Sequence, residues 1–504
     1  MKFFTVVLIL FFVFPVFAAP DNADLIIINA NVRTMASLPA RAEAVAVANG
    51  EIIAVGTTKA VRALADENTK IIDAEGRLVL PGFNDAHVHL GAIGNTFSTV
   101  KLDDVKTPAE FAARIANVAK FIPKGRWILG SGWDNTRWIP NDAPTKALVD
   151  DATPDNPVFV YNTDGKAAFV NTAALKLASI NKSTKEPPGG LIHRDTTGEP
   201  SGVFRGSAII LISRFVPTNH TKNWSEIIQT ASRYAASLGI TSVQDTHSDD
   251  LLIPLRELEL SGKLKTRVYD CISLSDWQKL AAKKTKAATG NAMVRTGCVK
   301  FFAEDDTEET AELDRDVAGA DKAGLQVAIH AIGPRPNEIV LDSFEKAIKA
   351  NGPRDRRFRV EHAHNARPQD WPRFARSNII ASMQPWLFHG ENGAASDDFK
   401  KIFDLRTIVA FGSDASITEF DPLLGIQAAV TSKNGISVEQ AVRTYTVGSA
   451  FAEFQEKVKG TIEVGKLADL VILSDDIFSI DRSKISGVRV LTTIMNGSVV
   501  YASN

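Results

Sequence analysis

Residues 78–90 read LVLPGFNDAHVHL, an apolar run that ends in two histidines separated by one residue. Side chains two positions apart on a β-strand point to the same face. His87 and His89 can therefore reach a single metal ion from the end of one strand. A His-x-His pair is weak evidence on its own, but here it directly follows an apolar strand and a Pro-Gly turn.

Seven further apolar runs follow, and most of them end in polar or metal-binding residues. They are GITSVQDTH, KTRVYDCIS, GCVKFFAE, LQVAIHAI, FRVEHAH, IIASMQP and IVAFGSDAS. Helical stretches such as WSEIIQTASRYAASLG lie between them, and this alternation is typical of βα units. Eight such strands predict an α/β fold, a TIM (β/α)8 barrel over residues 81–455, with its chemistry at the C-terminal ends of the strands.

Three more candidate ligands occupy the strand ends. His330 lies in the fifth predicted strand, His362 in the sixth, and Asp414 follows the eighth. Each could by itself be a hydrogen-bonded structural residue. With the first pair they give four imidazoles and one carboxylate, which are ligands that zinc and similar ions bind, and a catalytic site keeps one position open for water. The sequence predicts one or two divalent ions, with zinc favoured.

Lys300 lies within the apolar fourth strand, where an unpaired ammonium group would be costly to bury. Two explanations stay open. The lysine either pairs with Glu304 or Asp305, or it is carboxylated by carbon dioxide so that its carbamate oxygens bridge two metals.

Many short motifs, taken in their order along the chain, are similar to those of one enzyme superfamily. They are PGFNDAHVHL, GWDNTRW, DGKAAFVNTAAL, PPGG, GEPSGV, the Lys300 strand, HAIG, RVEHAH, SMQP, GSD and GKLADLVIL. Together they resemble the amidohydrolase superfamily, and within it the amidohydrolase 3 family that includes N-substituted formamide deformylases. The resemblance extends over nearly the whole chain after the first residues.

This resemblance implies a distorted TIM barrel with a small β domain built from both chain ends. The metal ligands that it implies are His87, His89, Lys300, His330, His362 and Asp414. The histidines of the first strand would bind one ion and the other two histidines a second, with carboxylated Lys300 between them; a single-ion version is the alternative. The chain departs from the family pattern at four places, namely Pro334, Ala303-Glu304-Asp305, Lys166 and His364, so it is unsafe to transfer the substrates of relatives.

Both ends of the chain are rich in short alternating strands. Residues 20–80 and 456–504 contain Asn-Gly pairs at Asn49-Gly50 and Asn496-Gly497, which favour hairpins. We expect the two ends to pair into one composite β-sandwich. The insertion after the first barrel strand, residues 95–235, is predicted to form a lid or wall over the barrel mouth, with a surface excursion as the alternative.

The first residues, MKFFTVVLILFFVFPVFAAP, predict a cleaved signal peptide over residues 1–19. Their apolar run is shorter than the roughly 20 residues of a membrane span, so we expect a secreted or periplasmic protein with no stable membrane anchor. A net charge of -2 without a basic stripe argues against nucleic acid as a partner, and a homodimer is left open. Cys271 and Cys298 lie in apolar runs, so buried free thiols are expected, with a bridge as the alternative.

The metal ligands predict a metal-bound hydroxide, and the family resemblance implies a hydrolase that uses it to cleave a non-peptide, amide-type carbon–nitrogen bond of a small molecule. Asp414 is the expected general base and then general acid. His364 lies two residues after His362, on the same face of a regular strand, and could contact the substrate or an oxyanion. Candidates for substrate contact in the insertion are Trp133, Asp134, Lys166 and Arg205. The alternatives are a metal-dependent esterase or lactonase, and a secreted small-molecule binding protein without activity.

Overall fold

The computed structural model describes residues 22–97, 99–217, 224–246, 251–305, 307, 310–388 and 399–503. The predicted signal peptide lies outside these residues. Within the described ranges, no helix combines the length and the apolar character that crossing a bilayer requires.

The N-terminal part of the chain forms short strands from runs of apolar and β-branched residues. Its elements are β1 (Leu25–Ile28), β2 (Asn31–Arg33), β3 (Arg41–Ala42), β4 (Ala44–Ala48), β5 (Glu51–Gly56), α1 (Thr58–Arg62), β6 (Lys70–Asp73) and β7 (Leu78–Pro81). Strands β4 and β5 pair around Asn49 and Gly50, whose φ angles are 52° and 79°. Positive φ at both positions is what a type I′ turn needs, so the predicted hairpin is confirmed.

The first barrel strand, β8 (Phe83–Val88), and helix α2 (Leu90–Thr96) come before the insertion. The insertion contains β9 (Val100–Lys101), α3 (Pro108–Ala119), β10 (Ile128–Trp133), β11 (Val158–Asn162), β12 (Ala167–Val170), α4 (Thr172–Leu177), β13 (Gly190–Arg194), β14 (Pro200–Gly206) and α5 (Ile210–Ser213). Its strands form one six-stranded sheet in the order β13-β14-β12-β11-β10-β9. Phe169 belongs to one apolar cluster and Phe159 to another, so the insertion is a folded layer with a core on each face.

The barrel continues with alternating helices and strands. These are α6 (Trp224–Ser237), β15 (Ile240–Asp245), α7 (Leu252–Leu260), β16 (Arg267–Ser273), α8 (Trp277–Ala282), β17 (Thr289–Gly290), β18 (Val294–Ala303), α9 (Thr310–Ala323), β19 (Gln326–Ile332), α10 (Pro334–Asn351), β20 (Arg359–His364), α11 (Trp371–Arg376), β21 (Ile380–Met383), α12 (Phe399–Asp404), β22 (Ile408–Phe411), α13 (Pro422–Thr431), α14 (Val438–Arg443) and α15 (Ser449–Ala452).

Eight parallel strands lie side by side in the described part of the chain, in the order β8-β15-β16-β18-β19-β20-β21-β22. A parallel bridge between Val88 and Ala415 brings the last strand to the first. The predicted TIM barrel is confirmed, and each predicted run contains one barrel strand. The first run needs one correction, because Leu78–Pro81 belongs to the terminal domain and the barrel begins only at Phe83.

The chain ends with β23 (Leu470–Leu473), β24 (Val490–Met495) and β25 (Ser498–Ala502). They extend a six-stranded sheet, β25-β24-β23-β7-β2-β3, which lies against a four-stranded sheet, β5-β4-β1-β6. Val47, Val79 and Ile472 belong to the apolar core that the two sheets share. The composite β-sandwich built from both chain ends is therefore confirmed.

Cys271 and Cys298 form a disulfide between neighbouring barrel strands. The prediction of two free thiols was wrong. The two residues lie directly opposite each other in the register of β16 and β18, and register is a property of strand pairing that the apolar runs around each cysteine do not reveal.

Buried ion pairs lie at the N-terminal ends of the barrel strands, and we call them the base cluster. Arg267 donates hydrogen bonds to both carboxylate oxygens of Asp469, at 2.7 and 2.8 Å. Glu453 forms ion pairs with Arg295 and with Lys459, the latter at 2.6 Å. All five side chains are buried, so the cluster joins the barrel to the chain segment that leads into the C-terminal strands.

Candidate metal centre

The ends of the first and eighth barrel strands bring three ligand-type side chains together. One ligand atom from each of His87, His89 and Asp414 lies within 4.8 Å of the other two. His87 Nε2 is 3.4 Å and His89 Nε2 is 3.1 Å from Asp414 Oδ1. Two imidazoles and a carboxylate at this spacing can bind one cation.

Gly412 and Asp85 allow these two strands to meet. A Cβ atom at Gly412 would lie 2.5 Å from the backbone nitrogen of His87, so only glycine fits there. The carboxylate of Asp85 accepts hydrogen bonds from the backbone nitrogens of His87 (3.1 Å) and Ser413 (2.9 Å). Burial raises the pKa of Asp85 to about 7. The backbone N–H of Asp414 also donates to the His87 carbonyl oxygen at 2.8 Å, which ties the two ligand strands directly.

The histidines of the fifth and sixth strands lie beside this group. The ring centroids of His330 and His362 are 4.4 Å apart, and those of His362 and His87 are 5.0 Å apart. The register between β19 and β20 shifts here, so that His362 and His364 pair with consecutive residues of β19. His362 has a φ of 71°, a left-handed conformation that is uncommon for non-glycine residues. Because this bulge interrupts the alternation, the expectation that His362 and His364 share a regular strand face was wrong.

Lys300 lies on β18 with 3% of its surface exposed, and its Nζ has no hydrogen-bond partner in the part of the chain that the structure describes. This excludes a hydrogen-bonded pair with Glu304 or Asp305. Glu304 instead places a carboxylate oxygen 3.6 Å from Nε2 of His330. Burial lowers the pKa of Lys300 to about 8, so the neutral amine is accessible near neutral pH.

The same burial keeps the imidazoles neutral. Burial and the positive charge of Lys300 lower the pKa of His87 and of His330 to about 4. Burial alone would raise the pKa of Asp414, but a hydrogen bond from His89 and the positive charge that the neighbouring imidazoles gain at low pH hold it at about 2. Neutral imidazole and ionised carboxylate are the forms that bind metals, so the site is ready for a cation at neutral pH.

Glu361 is a residue of this site that the sequence analysis missed. Its Oε2 accepts a hydrogen bond from Nδ1 of His87 at 2.6 Å, with both side chains buried. Arg359 donates to its other oxygen at 2.7 Å. Burial would raise the pKa of Glu361, but the charge of Arg359 and the bond from His87 hold it well below its usual value. The available signal was the Arg-x-Glu pair in an apolar strand directly before His362.

The bond to Glu361 decides which nitrogen of His87 is available. With the proton on Nδ1, the lone pair of Nε2 is directed to the carboxylate of Asp414 at 3.4 Å. Two such electron-rich atoms need a cation or a proton between them, and the low pKa of each group disfavours the proton. The residues therefore fit a metal ion.

Two of the predicted substrate contacts have structural roles in the insertion. The indole of Trp133 is 1% exposed and donates a hydrogen bond to the Val160 carbonyl oxygen at 3.0 Å. A side chain packed in this way has no surface left for a substrate, which corrects the prediction for Trp133. Asp134 accepts hydrogen bonds from the backbone and hydroxyl of Thr136 and forms an ion pair with Arg137.

Arg205 is exposed on β14, and Lys166 is exposed in the bend directly before β12, the strand that pairs with β14. Arg205 Nε donates to Nε2 of His193 at 3.1 Å. His364 is buried and stacks on Phe388, with ring centroids 3.6 Å apart. The structure thus gathers the six predicted ligands at one end of the barrel, and it leaves substrate contact by Asp134, Lys166, Arg205 and His364 as predictions.

A profile of the amidohydrolase family matches residues 70–501. The chain belongs to the amidohydrolase family. Membership agrees with the ligand set at the strand ends and makes this amidohydrolase a metal-dependent hydrolase of carbon–nitrogen bonds, as the sequence predicted.

Two curated relatives are similar over nearly their whole lengths. The protein LONG AFTER FAR-RED 3 of Arabidopsis thaliana is 31% identical to this amidohydrolase, over 95% of this chain and 92% of its own. The N-substituted formamide deformylase of Arthrobacter pascens is 27% identical, over 95% of this chain and 98% of its own.

Solved structures show the same architecture. An uncharacterized metal-dependent hydrolase from Pyrococcus furiosus superposes with a TM-score of 0.61 at 25% identity, over 90% of this chain and 100% of that one. An adenosine deaminase from Xanthomonas campestris with bound zinc has a TM-score of 0.54 at 14% identity, over 95% of this chain and 93% of its own. The second likeness concerns the fold alone.

Proposed function

We propose that this amidohydrolase cleaves a non-peptide, amide-type carbon–nitrogen bond of a small molecule at a zinc centre. The observation that carries the proposal is the cluster of His87, His89 and Asp414, whose ligand atoms lie within 4.8 Å of one another. A divalent ion held there lowers the pKa of a water molecule towards roughly 7 and polarises a carbonyl oxygen.

The remaining predicted ligands would extend the site to a second ion. His330 and His362 lie beside the first three ligands and present neutral imidazoles. Lys300 is buried without a hydrogen-bond partner among the described residues, and its pKa, lowered to about 8, makes the free amine accessible near neutral pH. A free amine is the form that reacts with carbon dioxide, which supports a carboxylated Lys300 as the bridging ligand.

Proton transfer falls to Asp414. Its carboxylate is ionised at neutral pH, so it can accept the proton of the attacking water and pass it to the departing nitrogen. An amide nitrogen leaves as an amine only after protonation, which makes this second step necessary. His364, beside the ligands on the bulged end of β20, is proposed to contact the substrate or the developing oxyanion.

The test is a substrate panel with matched pairs that differ only in the atom at the cleaved bond. N-substituted formamides and anilides are compared with the corresponding formate and phenyl esters and with lactones, and the named activity of the Arthrobacter pascens relative makes formamides the first choice. Faster hydrolysis of the nitrogen member of each pair supports the proposal. Cleavage of the oxygen members alone would replace it with the esterase or lactonase alternative.

Metal analysis separates the enzyme from a binding protein. We expect one or two zinc ions per chain in carefully purified protein, with loss of hydrolysis after chelation and recovery after zinc is restored. Less than one tightly held metal per chain, together with no hydrolysis across the panel, would support the non-catalytic alternative.

We also propose that the protein is exported. The N-terminal segment has the charge, apolar core and small-residue cleavage site of a signal peptide, and a disulfide between Cys271 and Cys298 fits an oxidising compartment. Expression of the full chain followed by N-terminal sequencing should yield a mature protein that begins near residue 20. An intact N-terminus in the cytoplasmic fraction would contradict export.

A further inference from the structure

A chain of buried polar side chains passes through the barrel interior. Interiors of TIM barrels are usually filled by branched apolar residues, but here polar groups connect the base cluster to His87. The members of this axial chain are Glu453, Asn84, Gln244, Arg359 and Glu361, and all are buried. Its bonds join β15 to β20, which are not neighbours in the sheet, so these side chains meet inside the barrel.

The lower half of the axial chain is a series of amide contacts. Asn84 Nδ2 donates to Glu453 Oε1 at 2.6 Å. Gln244 Nε2 lies 3.4 Å from Asn84 Oδ1 and donates to the Ser449 carbonyl oxygen at 2.8 Å. Its own Oε1 accepts a hydrogen bond from Arg359. The amide of Gln244 is thus held on both sides.

The upper half is organised by the guanidinium of Arg359. It donates to both carboxylate oxygens of Glu361, at 2.7 and 3.2 Å, to the Ala86 carbonyl oxygen at 2.6 Å and to Ser382 Oγ at 3.2 Å. A planar group bonded to several strands has one orientation. That orientation places Glu361 Oε2 at 2.6 Å from Nδ1 of His87.

We propose that Glu361 and Arg359 are positioning residues for His87, and that the axial chain sets its tautomer and ring orientation so that Nε2 binds the metal. The inference rests on the proposed metal site. A carboxylate on the far nitrogen of a ligand imidazole fixes the ring and makes it a stronger base, and losing such a partner typically costs about 10–100-fold in metal affinity.

A merely structural ion pair is the competing explanation, because a buried arginine and glutamate would also be retained for packing. The two explanations differ in what they do to the metal. A structural pair changes the stability of the fold, whereas a positioning pair also changes the affinity for the ion and its ligand field when the fold is intact.

The experiment compares three variants with the wild-type chain. Glu361→Gln removes the charge that faces His87. Because it also leaves Arg359 buried without its partner, the double variant Arg359→Met with Glu361→Gln removes both charges, an exchange that proteins often tolerate. Glu345→Gln is the matched control, since Glu345 accepts from Arg373 at 2.8 and 3.0 Å on α10 outside the barrel.

Metal-stripped proteins are titrated with Zn²⁺ against a chromophoric chelator, Co²⁺-loaded samples give the visible d–d spectrum, and thermal melts of the stripped proteins report the fold. We expect both Glu361 variants to bind Zn²⁺ about 10–100-fold more weakly and to shift the Co²⁺ spectrum, with the control unchanged in both.

The inference is overturned if the double variant melts like the wild type and binds Zn²⁺ within about threefold of it, well short of the loss expected for a ligand partner. That result, with tight binding by the wild type, would leave the proposed function intact. A wild-type chain that binds no Zn²⁺ would overturn the proposed function together with this inference.

Discussion

The two ends of the barrel both bury charged groups, but they satisfy them differently. In the base cluster, each charged side chain has a partner of opposite charge, as with Arg267 and Asp469. At the mouth, Nζ of Lys300 and Nδ1 of His362 are buried and lack a hydrogen-bond partner within the described ranges. At the base every charge faces an opposite charge, although Nε of Arg295 also lacks a hydrogen-bond partner among the described residues. At the mouth, the buried amine of Lys300 has no hydrogen-bonded carboxylate in the described part of the chain.

Buried polar groups without partners cost free energy, so their persistence needs a reason. At the mouth, the reason that we propose is a ligand that enters from outside the chain. The comparison predicts that substitutions at the two ends of the barrel affect different properties, namely stability at the base and metal binding or turnover at the mouth. Breaking the Arg267–Asp469 pair, which lies outside the axial chain, should cost stability and leave metal binding alone, and changing the mouth should cost metal binding or turnover and leave stability largely alone.

The largest effect is expected for Asp414→Asn. The amide keeps the size of the side chain but cannot accept and return a proton, so kcat should fall by about 10²–10⁴-fold, the usual contribution of a general base. Steady-state kinetics and metal analysis on the same sample check this. Near-normal turnover by a variant that still holds metal would show that Asp414 is not the base.

Asp469→Asn should have the next largest effect, on stability. It leaves Arg267 buried without its carboxylate partner, which typically costs about 3–5 kcal/mol. Urea unfolding measures the loss. Asp404→Asn is the matched control, because Asp404 pairs with Lys400 on the surface at 2.7 Å and exposed pairs are worth only about 0–1 kcal/mol. If the folded Asp469→Asn variant bound zinc more weakly than the wild type, it would contradict the prediction that changes at the base leave metal binding at the mouth unaffected.

The protonation of the mouth histidines gives the third prediction. Burial and the charge of Lys300 lower the pKa of His87 and His330 to about 4. Since these values lie below about 6.5, the ordinary value for histidine, both rings should stay neutral as the pH falls from 7 to 5 and should gain a proton only near pH 4.

This titration can be followed by NMR of the metal-free protein with ring-labelled histidine, and His330→Gln assigns one of the signals. Titration of both residues near pH 6.5 would mean that the mouth does not hold its imidazoles ready for metal. The base cluster contains no histidine, so its ion pairs should stay unchanged over the same range.

The smallest effect is expected for Lys166→Ala. The side chain is exposed on the insertion, so the free energy of unfolding should change by less than about 0.5 kcal/mol. If Lys166 holds a substrate carboxylate, KM should rise several-fold for acidic members of the panel, with kcat and the neutral members unchanged. An unchanged KM for acidic substrates would remove Lys166 from the site.

Most of the barrel could be predicted from the sequence because each strand is indicated by a short stretch of neighbouring residues. Each apolar run with a polar end became a strand, and the histidines at those ends are at the mouth. Glu361 escaped because its importance depends on His87, which lies 274 positions away in the chain. The prediction for Trp133 was wrong because an aromatic residue in a polar motif can contact a ligand or pack in a core, and the sequence does not distinguish the two.

The sequence by itself determined the barrel, the composite sandwich and the chemistry of the metal ligands, since hydrophobic periodicity and side-chain type are written residue by residue. Tertiary structure alone decided which atoms meet. The Cys271–Cys298 bridge, the bulge at His362 and the contact between Glu361 and His87 all follow from strand register and barrel closure. Those properties arise only when distant segments pair, because a shift of one residue sends a side chain to the opposite face.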